Sequence, residues 1–120
     1  MNISFSMTKK QFRERTKTVT RRRGWWNVKP GAILQGVEKG MGLKKGEKVV
    51  YLGPIRVVNA RREPLRRMID DTEYGFKEVA REGFGGDPRL GWPSVFVEFF
   101  AASHKCTIDD DVMRIEYEYI

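Results

Sequence analysis

The sequence predicts an α+β domain, a small β-barrel with flanking helices, on three observations. β-branched and apolar stretches read as strands around residues 18–20, 32–37 and 48–58, and an alternating segment closes the chain. Helical spacing of apolar residues is confined to the stretch between them, apart from one short turn near residue 10. Helices enclosed by strands at both ends of the order favour a barrel closed by the last strand. A chain of 120 residues buries enough apolar surface for one core, so residues 1–120 are read as a single domain.

In chain order, Thr8-Lys-Lys-Gln11 has capping-box spacing with Met7 and Phe12 placed for a hydrophobic staple, which predicts a helix over 8–14. Thr18-Val19-Thr20 is extended. Pro30-Gly31 turns the chain into a strand of Ala32-Ile33-Leu34 and Val37. After the glycines 40, 42 and 46, Lys48–Leu52 and Ile55–Val58 read as one or two strands interrupted at Gly53-Pro54. Asp70-Asp71-Thr72 offers caps for a helix whose apolar stripe is Phe76, Val79, Ala80 and Gly83. Trp92-Pro93-Ser94 opens another, with Val95, Phe96, Phe99 and Phe100 on its apolar face. Met113, Ile115, Tyr117 and Tyr119 alternate with Arg114, Glu116 and Glu118, as in a half-buried antiparallel strand.

Composition narrows the function. With 40% hydrophobic and 12% aromatic residues the chain is too rich in core formers for a disordered tail. No apolar run approaches the roughly 18–20 residues that span a bilayer, and the N-terminus lacks a signal-peptide layout, so a cytoplasmic protein without membrane contact is expected. One cysteine, Cys106, and one histidine, His104, leave no internal disulfide and no zinc site of the usual kind. No cofactor or metal is expected. His104 reads as a helix-end residue favoured by the dipole. Gly31–Gly36 has phosphate-loop spacing, but Val37-Glu38 follows where a lysine and a hydroxyl are needed. Asp109-Asp110-Asp111 lacks the alternating spacing of a calcium loop and reads as a solvated turn.

The formal charge of +7 is concentrated. Residues 1–29 hold nine basic residues against Glu14 alone, while the remainder holds 14 basic and 15 acidic. Such clustering attracts phosphates, and Trp25-Trp26 directly after Arg21-Arg22-Arg23 adds aromatic faces for base stacking.

The stretch Arg15-Thr-Lys-Thr-Val-Thr-Arg-Arg22, with Trp25, Trp26 and Val28-Lys-Pro-Gly31, resembles the ASCH domain family, in particular its small stand-alone bacterial and phage members. The likeness continues through Val57–Leu65, Ala80-Arg-Glu-Gly-Phe84 and Arg114-Ile-Glu-Tyr117. It implies a PUA-like barrel that recognises RNA or a modified nucleoside in a cleft between barrel and helices. Some small members hydrolyse the acetyl amide of acetylcytidine, and others are linked to RNA cleavage. In the amidase-type members a Lys, a Thr three residues later and a distant Glu form the active site, which fall here on Lys17, Thr20 and Glu82.

The residues themselves make that chemistry workable. A Thr hydroxyl becomes a nucleophile when a base takes its proton, and a Lys serves as base when burial or nearby charge from Arg15, Arg21 or Arg22 lowers its pKa. Glu82 would then protonate the leaving amine or activate water. Lys17 and Thr20, three apart, converge only if Lys17 precedes the strand. The extra glycine-rich segment Gly40–Gly46 and the Trp92–Phe100 helix depart from the amidase pattern. The leading expectation is therefore nucleic-acid binding, RNA first, with Arg15, Lys17, Arg21, Arg22 and Arg23 on phosphates and Trp25 or Trp26 stacking a base. The alternative is an amidohydrolase of acylated cytidine using Lys17, Thr20 and Glu82. A third is a basic face that meets an acidic protein.

Overall fold

A computed structural model describes residues 1–40 and 42–120; Met41, within the glycine-rich stretch, lies outside the described residues. The elements are β1 (Asn2–Ser4), α1 (Lys9–Arg13), β2 (Val19–Arg22), β3 (Ile33–Val37), β4 (Tyr51–Pro64), α2 (Arg67–Asp70), α3 (Thr72–Val79), a π turn (Ala80–Phe84), α4 (Pro93–His104) and β5 (Asp111–Tyr119). The five strands form one mixed sheet in the order β1-β3-β4-β5-β2. β1 runs parallel to β3 and the other pairs are antiparallel. The α+β expectation holds. The sheet is not closed into a barrel, and β5 lies inside it rather than sealing it. The two edges nevertheless approach one another, because the Arg22 side chain on β2 donates through Nη2 to the Ser4 carbonyl on β1.

β5 serves two cores because it is covered on both faces. Met113, Ile115 and Tyr117 join Ile3, Phe5, Phe12, Leu34, Ile55 and Val57 on one side. Val112 joins Leu65, Met68, Val79, Phe84, Phe96, Val97 and Phe100 on the other, under the helices. Arg114, expected on the solvent side of the alternation, shares the helix-facing side and is 2% exposed. The expected break at Gly53-Pro54 is absent: β4 runs unbroken through both, with Gly36 opposite Gly53. That glycine pair leaves a slot for a ring, since a Cβ on Gly36 would lie 2.5 Å from Phe12 Cζ.

The helix expectations fare unevenly. α1 forms, but Thr8 makes no side-chain cap bond and Met7 is exposed, so neither box nor staple holds it. Burial of Phe12 does. α3 is capped as expected, with the Asp71 carboxylate accepting from the Tyr74 amide at 3.1 Å. Its inward face is Gly75, Glu78 and Val79, whereas Phe76 is exposed. The stripe is rotated because Gly75 packs against α2 and α4: a Cβ there would meet the Met68 carbonyl at 2.0 Å and Pro93 at 3.0 Å. α4 begins at Pro93 and buries Phe96, Val97 and Phe100, with Phe99 partly exposed. Asp109 pairs with Arg66, and Asp110 accepts from the Thr107 amide, which makes that acidic run a turn. No helix among the described residues is long and apolar enough to cross a membrane.

Helix propensity alone would make Gly75→Ala a gain of about 1 kcal/mol. The contact with the Met68 carbonyl reverses the sign: the variant is expected to lose ~1–3 kcal/mol in urea unfolding.

Candidate active site

The site is assembled where the π turn docks on the edge strand β2. Lys17 lies before β2 begins, which allows it and Thr20 to converge. The Thr18 amide donates to the Arg81 carbonyl at 2.8 Å, and the Tyr119 hydroxyl donates to the Lys17 carbonyl. Gly83 turns the chain at φ +101°, a conformation that side chains rarely adopt, and a Cβ there would press on Gln11 at 2.9 Å. This close fit brings Glu82 across the strand edge.

Glu82 is held at both oxygens. Oε1 accepts from Lys17 Nζ at 2.9 Å, and Oε2 accepts from Arg21 Nη1 at 3.0 Å. Lys17 Nζ also donates to the Glu82 carbonyl at 2.9 Å. Behind them Arg21 Nη2 reaches Glu78 Oε1 at 2.6 Å and Glu63 Oε2 at 3.2 Å. Arg114 completes the cluster by donating to both Glu78 oxygens, at 3.0 Å through Nη2. Three cations, Lys17, Arg21 and Arg114, thus meet three carboxylates, Glu63, Glu78 and Glu82, all buried. Balanced pairing of this kind is what permits charge in an interior.

The environment tunes the groups unequally. Burial pushes the Lys17 ammonium below its ordinary value of 10.5; Glu82 opposes the shift, while the nearby Arg22 and Arg21 charges add to it. Burial alone would raise Glu78, yet the Arg114 and Arg21 guanidiniums hold it well below the usual carboxylate range. Glu63 is also lowered: burial opposes the shift, and the Arg21 charge with hydrogen bonds from Arg61, Tyr74 and Arg21 outweighs it.

On the other face of β2, two residues apart and therefore side by side, Arg22 Nε donates to Thr20 Oγ1 at 3.0 Å. Thr20, Arg22, Lys17 and Glu82 line one cavity of about 180 Å³. Its apolar wall includes Phe5, Phe84, Phe96 and Phe100, and Ser103 and His104 from the end of α4 reach the same cavity. His104 Nδ1 sits 3.0 Å from the Phe100 carbonyl, an acceptor that assigns the proton to Nδ1, and the ring stacks on Phe100 at 4.0 Å between centroids.

The structure therefore gathers Lys17, Thr20 and Glu82 and disperses the basic run. Arg21, expected on phosphates, is fully buried among carboxylates because strand alternation turns it toward the helices. Arg15 lies over the Tyr119 ring at 5.2 Å and lines a different hollow from the one that holds Lys17. Arg23 is exposed and donates to the Asp111 carbonyl at 2.6 Å. Trp26 is exposed beneath Arg62 and Arg23, whose guanidinium carbons lie 4.3 and 5.7 Å from its ring. Trp25 is partly buried against the first core. Sequence reasoning missed Glu63, Glu78 and Arg114. The signal available was the i, i+4 spacing of Glu78 and Glu82, which puts both on one helical face. No family model matches the chain, and neither the curated proteins nor the solved structures give a match.

Lowered carboxylates contribute stability that is present above their ordinary value of 4.5 and lost as pH falls below it toward their folded values. The melting temperature is accordingly expected to drop through the range from about pH 5 to pH 3. Glu78→Gln should cost ~3–5 kcal/mol at neutral pH and flatten that acid limb, checked by thermal melts across pH.

Proposed function

We propose that this chain is an amidohydrolase that removes the acyl group from an acylated cytidine, acting through Lys17, Thr20 and Glu82. The observation that carries the reading is that these three side chains line one small cavity walled by phenyl rings. A volume of about 180 Å³ lies below the ~300–1,000 Å³ of clefts for drug-sized ligands, and suits a single base rather than a polymer segment. The phenyl wall offers faces for a flat ring, and the polar floor offers the groups an amide reaction needs. The same reading takes the domain as ASCH-like and its sheet as a PUA-like barrel with one seam open between β1 and β2.

In this mechanism the neutral Lys17 amine takes the Thr20 hydroxyl proton, and Oγ adds to the acyl carbonyl carbon as its π pair moves to oxygen. The oxyanion collapses, the carbon–nitrogen bond breaks, and the departing amine takes the proton from the Lys17 ammonium. Water then adds to the Thr20 ester, with Lys17 again taking the proton. Cleavage of the ester bond returns that proton to Oγ and releases the carboxylic acid. The lowered pKa of Lys17 favours the neutral amine this requires. Glu82 bonds the ammonium form and fixes its position.

A second reading keeps nucleic acid as a partner of the outer surface. It is favoured by Trp26 lying exposed beside Arg23 and Arg62, a pairing of aromatic face and guanidinium suited to a stacked base and a phosphate. It does not use Arg15 or Arg21.

Purified protein is expected to release cytidine from N4-acetylcytidine. Thr20→Val and Lys17→Ala should each lose turnover by ~10³-fold or more while keeping the fold. Absence of turnover in the wild type, or full activity in Thr20→Val, overturns the hydrolase reading. For the outer surface, Trp26→Ala with Arg62→Ala should weaken single-stranded RNA binding and reduce the salt slope by about 1, measured by fluorescence titration; an unchanged affinity rules that reading out.

A further inference from the structure

Arg22 differs from the other cations around the site. Lys17, Arg21 and Arg114 each meet a carboxylate at hydrogen-bond distance. Arg22 meets none among the described residues. Its Nε donates to Thr20 Oγ1 at 3.0 Å, its Nη2 donates to the Ser4 carbonyl, and its guanidinium lies 5.1 Å from the centre of the Phe5 ring. Nη1 has no hydrogen-bond partner among those residues. The side chain is half-buried and lines the cavity. A positive charge drawn out of water without a matching carboxylate is costly, and it becomes favourable where negative charge arrives beside it.

We propose that Arg22 is a further catalytic residue, which holds the Thr20 oxygen through Nε and stabilises with its guanidinium charge the oxyanion that forms on the acyl carbonyl. The inference rests on the hydrolase reading above. Its chemistry follows from the contact with Oγ1. In the resting state a neutral hydroxyl accepts from Nε; as the proton passes to Lys17, the acceptor gains negative charge and that hydrogen bond roughly doubles in strength. When Oγ bonds to the carbonyl carbon, the charge moves two bonds along, across that carbon, to the carbonyl oxygen. The Nη1 that has no partner among the described residues is the donor the proposal assigns to it. No proton leaves Arg22 at any step, since its charge persists at all working pH values.

Arg22 also acts on the base. Burial pushes the Lys17 ammonium down, Glu82 pushes it up, and the charges of Arg22 and Arg21 add to the lowering. Removing the Arg22 charge therefore raises the pH at which Lys17 becomes neutral. That shift reports the charge alone, so the fall in kcat at unchanged KM and its recovery by a retained charge separate a catalytic role from a bridge between β1 and β2.

The test is the pH dependence of kcat and KM for N4-acetylcytidine in the wild type, Thr20→Val, Arg22→Gln and Arg22→Lys, with a melt and near-ultraviolet circular dichroism for each. Arg22→Gln is expected to lower kcat by ~10²–10³-fold with KM little changed, and to move the rising limb of the profile to higher pH. Arg22→Lys, which keeps a charge, should recover part of kcat and leave the limb near its wild-type position. Arg22→Gln with wild-type kcat beside an inactive Thr20→Val overturns the role of Arg22 and leaves the hydrolase reading standing. A wild type without turnover overturns both. Should Arg22→Gln lose its near-ultraviolet signal, Arg22→Lys decides: a folded Arg22→Lys whose kcat is as low as that of Thr20→Val overturns the proposal.

Discussion

A guanidinium that no solvent reaches must be neutralised by its surroundings, and the side chain of Arg21 is fully buried. Its three carboxylates come from β4, α3 and the π turn. Satisfying one charge therefore brings the helical layer onto the sheet at a particular angle. A well-packed apolar cluster could be as stable, so the pairing contributes geometry more than free energy. Glu82 is the corner of that arrangement, because one oxygen serves Arg21 and the other serves Lys17. The side chain that ties the layers together also sets the position of the amine in the cavity.

Strand alternation divides the labour on β2. Thr20 and Arg22 face the cavity, while Arg21 between them turns into the ion cluster. Three consecutive residues of an edge strand so carry both a structural lock and the floor of the candidate site. The arrangement also explains the density of charge in this stretch: part of it is internal and compensated, and only part is available to a ligand. The net charge of +7 overstates what the surface around the cavity offers to phosphates.

The strands were legible because β-branched runs and alternation report burial directly, as Thr18–Thr20 and Met113–Tyr119 do. Lys17 and Thr20 were legible as a motif, and their convergence depended on where β2 begins, which spacing alone does not fix. The unbroken passage of β4 through Gly53-Pro54 was hidden because it depends on Phe12, far away in the chain, filling a slot over Gly36. Glu78 was hidden for a related reason. A carboxylate on an apolar helix face looks like surface until the partner guanidiniums of Arg21 and Arg114 are placed opposite it. Periodicity records which positions are apolar; it does not record which charges will find each other inside.

The bond between Lys17 and Glu82 joins residues 65 apart, and the contact of Tyr119 with the Lys17 carbonyl joins residues 102 apart. Loop closure over such distances is slow and comes after local structure has formed. In the sheet β2 pairs with β5, which follows β1, β3 and β4 in chain order. The β3–β4 pairing spans far less chain, so on loop-closure grounds it precedes the contacts that bring Lys17, Thr20 and Glu82 together. Their assembly waits for β5, and an occupied cavity reports a chain in which β5 has joined the sheet.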